Sequence, residues 1–113
     1  MESGETAIGT KDGGFIILAS ELFKYDIRSD PEGWDTNGTL IKLSRHGFKQ
    51  WAFDFKGKGY AETSFKYVFE SEDGGYFAAA NYISHEENGY GSGFVLFKLN
   101  KKGNCIGPGC HEL

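Results

Sequence analysis

Glycine punctuates this chain so closely that the segments between its turns have the length of strands. The turn signals are Asp12-Gly13, Asn37-Gly38, His46-Gly47, Gly57-Lys58-Gly59, Asp73-Gly74, Asn88-Gly89 and Lys102-Gly103. Asp-Gly and Asn-Gly pairs supply the positive φ that type I′ hairpin turns need. Turns at this spacing imply about eight strands and an all-β domain. The segments agree. Trp51, Phe53 and Phe55 alternate with Ala52 and Asp54, and Phe23, Tyr25 and Ile27 alternate with Lys24 and Asp26. Alternation also places Phe65, Tyr67 and Phe69 on one strand face and Lys66, Val68 and Glu70 on the other. Residues 39–43 and 94–99 are apolar almost throughout, as strands inside a sheet tend to be. The one helix candidate, Ser20 to Arg28, has a period of two rather than 3.6.

The chain also writes one phrase twice. Asp12-Gly13-Gly14-Phe15 recurs as Asp73-Gly74-Gly75-Tyr76, 61 residues later. Thr39-Leu40-Ile41-Lys42-Leu43 matches Val95-Leu96-Phe97-Lys98-Leu99 at an offset of 56, each followed by a glycine, Gly47 and Gly103. The smaller second offset puts an insertion between Gly14 and Thr39, and residues 28–38 are its expected host, as an exposed loop. The reading is a single domain of two four-stranded antiparallel units, residues 5–57 and 58–107, with a tail over 108–113.

The sequence from Gly38 to Asn81 resembles a bacterial and archaeal β-propeller repeat. Leu43, Gly47, Trp51, Gly57, Gly59, Tyr60, Asp73, Gly74, Gly75 and Tyr76 carry the resemblance, which extends over most of residues 6–104. It implies a propeller-like scaffold of blade-like units and a binding domain of the cell-surface or secreted kind. Such repeats usually run to roughly four to eight blades, and this chain holds two. The second unit also has Gly107 where the first has Trp51, so its last strand is expected to be weak or absent. Two blades leave open edges and apolar faces, which favour association. Self-assembly into a symmetric homo-oligomer is the leading expectation. A fragment of a longer protein, or two sheets packed face to face as a sandwich, are the others.

A chain of 113 residues with ten Phe, six Tyr and two Trp has enough apolar volume for one core. Its net charge of −4, with no basic stripe, argues against nucleic-acid binding. No apolar run approaches the ~18 residues of a membrane span. Met1 to Gly4 show no signal-peptide pattern. A secreted or cell-surface location is expected from the resemblance, and a cytoplasmic one is the alternative.

Three stretches carry residues with chemical potential. The first is Cys105-Ile-Gly-Pro-Gly-Cys110-His111. A local disulfide between Cys105 and Cys110 is one reading, with Gly107-Pro108-Gly109 turning the chain, and two free thiols are another. The stretch also resembles a long-spaced variant of the c-type haem attachment pattern. That resemblance implies thioethers at Cys105 and Cys110, His111 as proximal ligand, His85 or His46 as distal ligand, and electron transfer. Zinc held by Cys105, Cys110, His111 and His85 is a further alternative. The second stretch places Asp26, Asp30, Glu32 and Asp35 around Trp34, which reads as a solvated acidic loop, a calcium site of unusual spacing, or a sugar or peptide subsite. The third, in the second unit, holds His85, Glu86, Glu87 and Tyr90, where His85 and Glu87 are candidates for acid and base, although loop residues at this spacing need not converge. No Ser-His-Asp arrangement, phosphate-cradling loop or HExxH motif is present. The expectation is a non-enzymatic binding or protein-interaction module, with no cofactor, presenting Trp34, Asp35, His85 and Tyr90 to a carbohydrate or protein ligand. Its rivals are the haem protein, a small hydrolase using His85, and a structural subunit of an extracellular assembly.

Overall fold

Four turns of one design carry the chain between strands. They span residues 10–14, 44–48, 71–75 and 100–104, and each is closed by the same two backbone hydrogen bonds. Thr10 N–H donates to the Gly14 carbonyl and Gly13 N–H to the Thr10 carbonyl, for example, at 2.9 and 3.0 Å. Within each, only the fourth residue has positive φ: Gly13 at 88°, Gly47 at 88°, Gly74 at 90° and Gly103 at 85°. A type I′ turn needs two such residues, so the expected I′ hairpins are replaced by turns that end in a left-handed glycine. The first side chain or the third tightens each loop. Asp12 and Asp73 accept from the N–H groups of Gly14 and Gly75, and Asn100 accepts from Lys102 and Asn104.

The computed structural model describes residues 7–24, 34–56, 60–86, 89–107 and 109–112, and their side chains except at 21–24, 34–36, 60–61, 84–86, 89–90 and 112. The described strands are β1 (Ala7–Gly9), β2 (Phe15–Lys24), β3 (Trp34–Leu43), β4 (Lys49–Phe55), β5 (Tyr60–Glu70), β6 (Tyr76–Glu86) and β7 (Gly89–Leu99), with a single 3-10 turn at Cys110–Glu112. They form two antiparallel sheets, of order β1-β2-β3-β4 and β5-β6-β7. The second sheet has three strands rather than the expected four. Where the fourth would pair, an isolated bridge joins Leu99 to Cys105. β7 is consequently an edge strand, although its apolar sequence suggested an inner one.

Asn37-Gly38 is no turn: both residues lie inside β3. Glycine is required there by close approach, since an added Cβ would stand 3.0 Å from the Phe65 ring, the Phe65 nitrogen and the Ser64 Cα. Gly38 N–H donates to Thr63 Oγ1 at 2.8 Å, and the buried Thr63 hydroxyl donates to the Phe55 carbonyl at 2.6 Å. This pair of bonds ties β3, β4 and β5 together. Of the expected insertion, 34–38 belong to β3, and 28–33 lie outside the described residues, as do Gly57-Lys58-Gly59 and Asn88.

The sheets stack face to face. Ile16, Leu40, Phe53 and Phe55 of one meet Phe65, Tyr76, Ala78, Ala80, Val95, Phe97 and Leu99 of the other. Phe97 is the pivot, 5.2 Å from Phe53 and 4.9 Å from Phe55 between ring centroids, both edge-on. Such pairs add about 0.5–1.5 kcal/mol each beyond burial. Within β5 the expected alternation fails. A register shift between Phe65 and Tyr67 leaves Phe65 and Val68 buried, while Tyr67 and Phe69 face outward. An extra residue in one strand of a pair reverses the faces beyond it. The described strands thus make two open sheets in two layers, with no closed barrel or propeller ring.

Candidate functional site

The residues singled out from sequence sit at the hairpin ends opposite the glycine turns. Trp34 and Asp35 open β3 and pair in register with Lys24 and Phe23 of β2. His85 of β6 pairs with Tyr90 of β7, next to the last pair of that hairpin, Glu86 with Gly89. Backbone register therefore brings His85 and Tyr90 together, while the side chains of Trp34, Asp35, His85, Glu86 and Tyr90 lie outside those described. Asp26, Asp30, Glu32 and Glu87 lie outside the described residues altogether. Among the described residues, no group of three or more His, Cys, Asp or Glu side chains could hold a metal ion.

The C-terminal stretch forms the local disulfide: Cys105 and Cys110 are bonded, with their Cα atoms 5.7 Å apart. Gly109, at a φ of 88°, allows the reversal, and Ile106 N–H donates to the Lys98 carbonyl at 2.9 Å. The free-thiol reading is corrected accordingly. In this state each sulfur has the other as its covalent partner. His111 follows on the 3-10 turn and is exposed, and His46 is exposed in the 44–48 turn of the other sheet.

A second concavity lies elsewhere, at the turn ends between the two sheets. It is a cleft of about 680 Å³ with Trp51 and Tyr76 at its base and Lys11, Glu70, Lys101 and Lys102 around it. The rings of Trp51 and Tyr76 are 5.6 Å apart, and Trp51 Nε1–H donates to the Lys101 carbonyl at 3.1 Å. Gly103 admits this packing, because an added Cβ would fall on the indole. Burial pushes the Tyr76 phenol up, with the Glu70 and Asp12 charges adding to it. The Lys42 ammonium at the margin is fully engaged. It donates to Asp12 Oδ2 at 2.9 Å, Gln50 Oε1 at 2.9 Å and the Leu43 carbonyl at 3.0 Å, which uses all three of its hydrogens. The Asp12 carboxyl is held well below its usual range, first by the Thr10 hydroxyl, then by Lys42 and the Gly14 N–H.

The second sheet repeats that arrangement. Lys98 Nζ donates to Asp73 at 2.9 Å and to Ser71 Oγ at 2.8 Å, and Asp73 accepts from the Ser71 hydroxyl. The Asp73 carboxyl is likewise held low, by Ser71, then the Gly75 N–H, then Lys98. An added Cβ at Gly14 or Gly75 would land on the Leu43 or Leu99 carbonyl oxygen. These Lys–Asp pairs are structural, since their charges point at each other and at the turns. The cleft offers aromatic surface and exposed cationic side chains, and no nucleophile, base and orienting group converge among its described lining residues. Sequence reasoning missed it because its walls come from both units. The paired signals were nonetheless present, as Lys in each Lys-Leu phrase and Asp in each Asp-Gly-Gly phrase.

A third feature is the outer face of β5–β7. Tyr67, Phe69, Phe94 and Leu96 are 71%, 53%, 75% and 44% exposed on it. Phe69 stacks on Phe77, with centroids 5.6 Å apart, and the Lys98 ammonium lies 5.0 Å from the centre of the Phe77 ring. At the hairpin end this face holds a groove of about 440 Å³ that includes Glu62, Lys66, Asn81, Ile83 and Phe94. A scan of protein-family models and searches of curated proteins and of solved structures find no match to this chain.

Proposed function

We propose that this chain is a non-enzymatic binding and interaction module that works as a self-associated assembly of blade-like units. The observation that carries the reading is the aromatic outer face of β5–β7, with Phe94 and Tyr67 each more than two-thirds exposed. A contiguous apolar sheet face of this kind marks an interaction surface. The matching turns and matching Lys–Asp pairs support the reading of two copies of one unit. The disulfide supports a secreted or cell-surface location, where such bonds persist. In the assembly, the hairpin ends carrying Trp34, Asp35, His85 and Tyr90 form the rim offered to a carbohydrate or protein ligand. Light scattering across a range of protein concentrations tests the core of this proposal. The expected mass is a whole multiple of the chain mass, and a monomer at every concentration overturns it.

A further inference from the structure

Matching the two Asp-Gly turns and the two Lys-Leu turns sets up a residue-by-residue correspondence between the sheets. It pairs Ile16 with Phe77, Leu40 with Leu96 and Lys42 with Lys98 on one face. On the other face it pairs Phe15 with Tyr76, Ile41 with Phe97 and Leu43 with Leu99. The two sheets bury opposite members of these pairs. Ile16 and Leu40 are fully buried, whereas their counterparts Phe77 and Leu96 face outward. Tyr76, Phe97 and Leu99 are buried, whereas Phe15 is 46% exposed and Ile41 and Leu43 are half-buried.

The internal interface is therefore a head-to-tail one, joining one face of a unit to the opposite face of the next. Each chain then ends in one unused face of each kind. The outer face of β5–β7 corresponds to the face that β1–β4 already uses, and the outer face of β1–β4 corresponds to the face that β5–β7 already uses. We infer that a second copy of this chain seats the outer face of its β1–β4 sheet on the outer face of β5–β7, repeating between chains the contact made within one. This rests on the self-association reading and specifies its geometry.

Shape agrees with the assignment. The outer face of β1–β4 has a hollow of about 310 Å³ lined by the small side chains of Ala19, Thr39 and Ala52, with Ile41 and the charged Lys49 and Asp54 beside them. The opposing face carries projecting side chains, Phe94 foremost. Inside the chain the relation is the same: Phe53 and Phe55 project toward the sheet bearing Ala78 and Ala80. A contact between unlike faces leaves a free face at each end, so it propagates to a closed ring or an open filament instead of stopping at a dimer.

The test uses two variants of the full chain, Leu96→Glu on one face and Ile41→Glu on the other. Each alone is expected to be monomeric by light scattering. Mixed in equal amounts, they are expected to form a one-to-one dimer of twice the chain mass, through the single intact pair of faces. Phe94→Ser and Ala52→Glu, at exposed positions, replace either variant whose circular dichroism departs from that of the wild type. A monomeric wild type overturns the self-association reading and this geometry with it. A wild-type oligomer that survives either substitution, or variants that stay monomeric when mixed, overturns the face assignment and leaves self-association standing.

Discussion

Lys42 places an ammonium where only 2% of its side chain is exposed, while its partner Asp12 remains 55% exposed. That asymmetry decides which half of the pair is dispensable. Removing Asp12 strands a buried charge on Gln50 and one carbonyl, whereas removing Lys42 leaves a carboxylate that water can reach. Asp12→Ala is expected to cost about 1–2 kcal/mol in urea unfolding, the range for a charge-assisted hydrogen bond discounted for the exposure of Asp12. Lys42→Met is expected to cost less than about 1 kcal/mol, because a straight apolar chain fills the same space. Acid should reveal both carboxylates. Asp12 and Asp73 have pKa values lowered by folding, so the unfolded chain binds more protons in the acid range. Their stabilisation is complete above the unfolded carboxyl value of about 4 and is lost as pH falls below it. The double variant Asp12→Asn, Asp73→Asn should show a shallower fall in stability between about pH 5 and pH 2 than the wild type, measured by denaturant titration at each pH. At this scale the sequence was half legible. The recurrence of Asp-Gly-Gly was plain, but its cause was not. The second glycine is needed because a carbonyl from the Lys-Leu strand crosses over it, and that strand lies 29 residues further along from Gly14 to Leu43.

Strands announced themselves by period, and their faces did so only where the period held. β4 keeps its period from Trp51 to Phe55, past a register shift at Gln50, and Trp51, Phe53 and Phe55 all point inward as alternation requires. β5 contains a register shift between Phe65 and Tyr67, so a faultless alternating sequence ends with Phe65 inside and Tyr67 and Phe69 outside. Nothing local marks that shift. It is set by the partner β6, whose Ala78 and Ala80 leave room for Phe65 and Val68 on the buried side. The missing eighth strand was legible, through Gly107 in place of a tryptophan. What replaces it is the Leu99–Cys105 bridge and the disulfide loop beyond. That loop closes only a short stretch of chain, so its entropic contribution should fall below the ~3 kcal/mol of a fifteen-residue loop. Reduction, or Cys105→Ser with Cys110→Ser, is expected to lower the thermal midpoint by several degrees and to leave the β-sheet circular dichroism in place. Hydrogen exchange should speed up at Ile106, whose N–H bonds to the Lys98 carbonyl, and stay slow at the core amides of β6.

The whole molecule is two sheets that share one core and leave two faces uncovered. Its extents of 47 × 26 × 21 Å describe an elongated body, a shape that exposes more surface per residue than a sphere of equal volume. The core is correspondingly thin, with a single aromatic layer around Phe97. On the proposed self-association, stability must depend on the chain's own concentration, because association acts on the folded state alone. The thermal midpoint of the wild type is therefore expected to rise as concentration is increased a hundredfold. The midpoint of Leu96→Glu should stay constant over the same range, because the substitution puts a charge on the face that the neighbour would cover. Calorimetry at each concentration checks both. At the lowest concentration, where the wild type is dissociated, the two curves should nearly coincide, since Leu96 lies on the outer face and not in the shared core. A constant offset between them at all concentrations would instead place the cost of the glutamate inside the single chain.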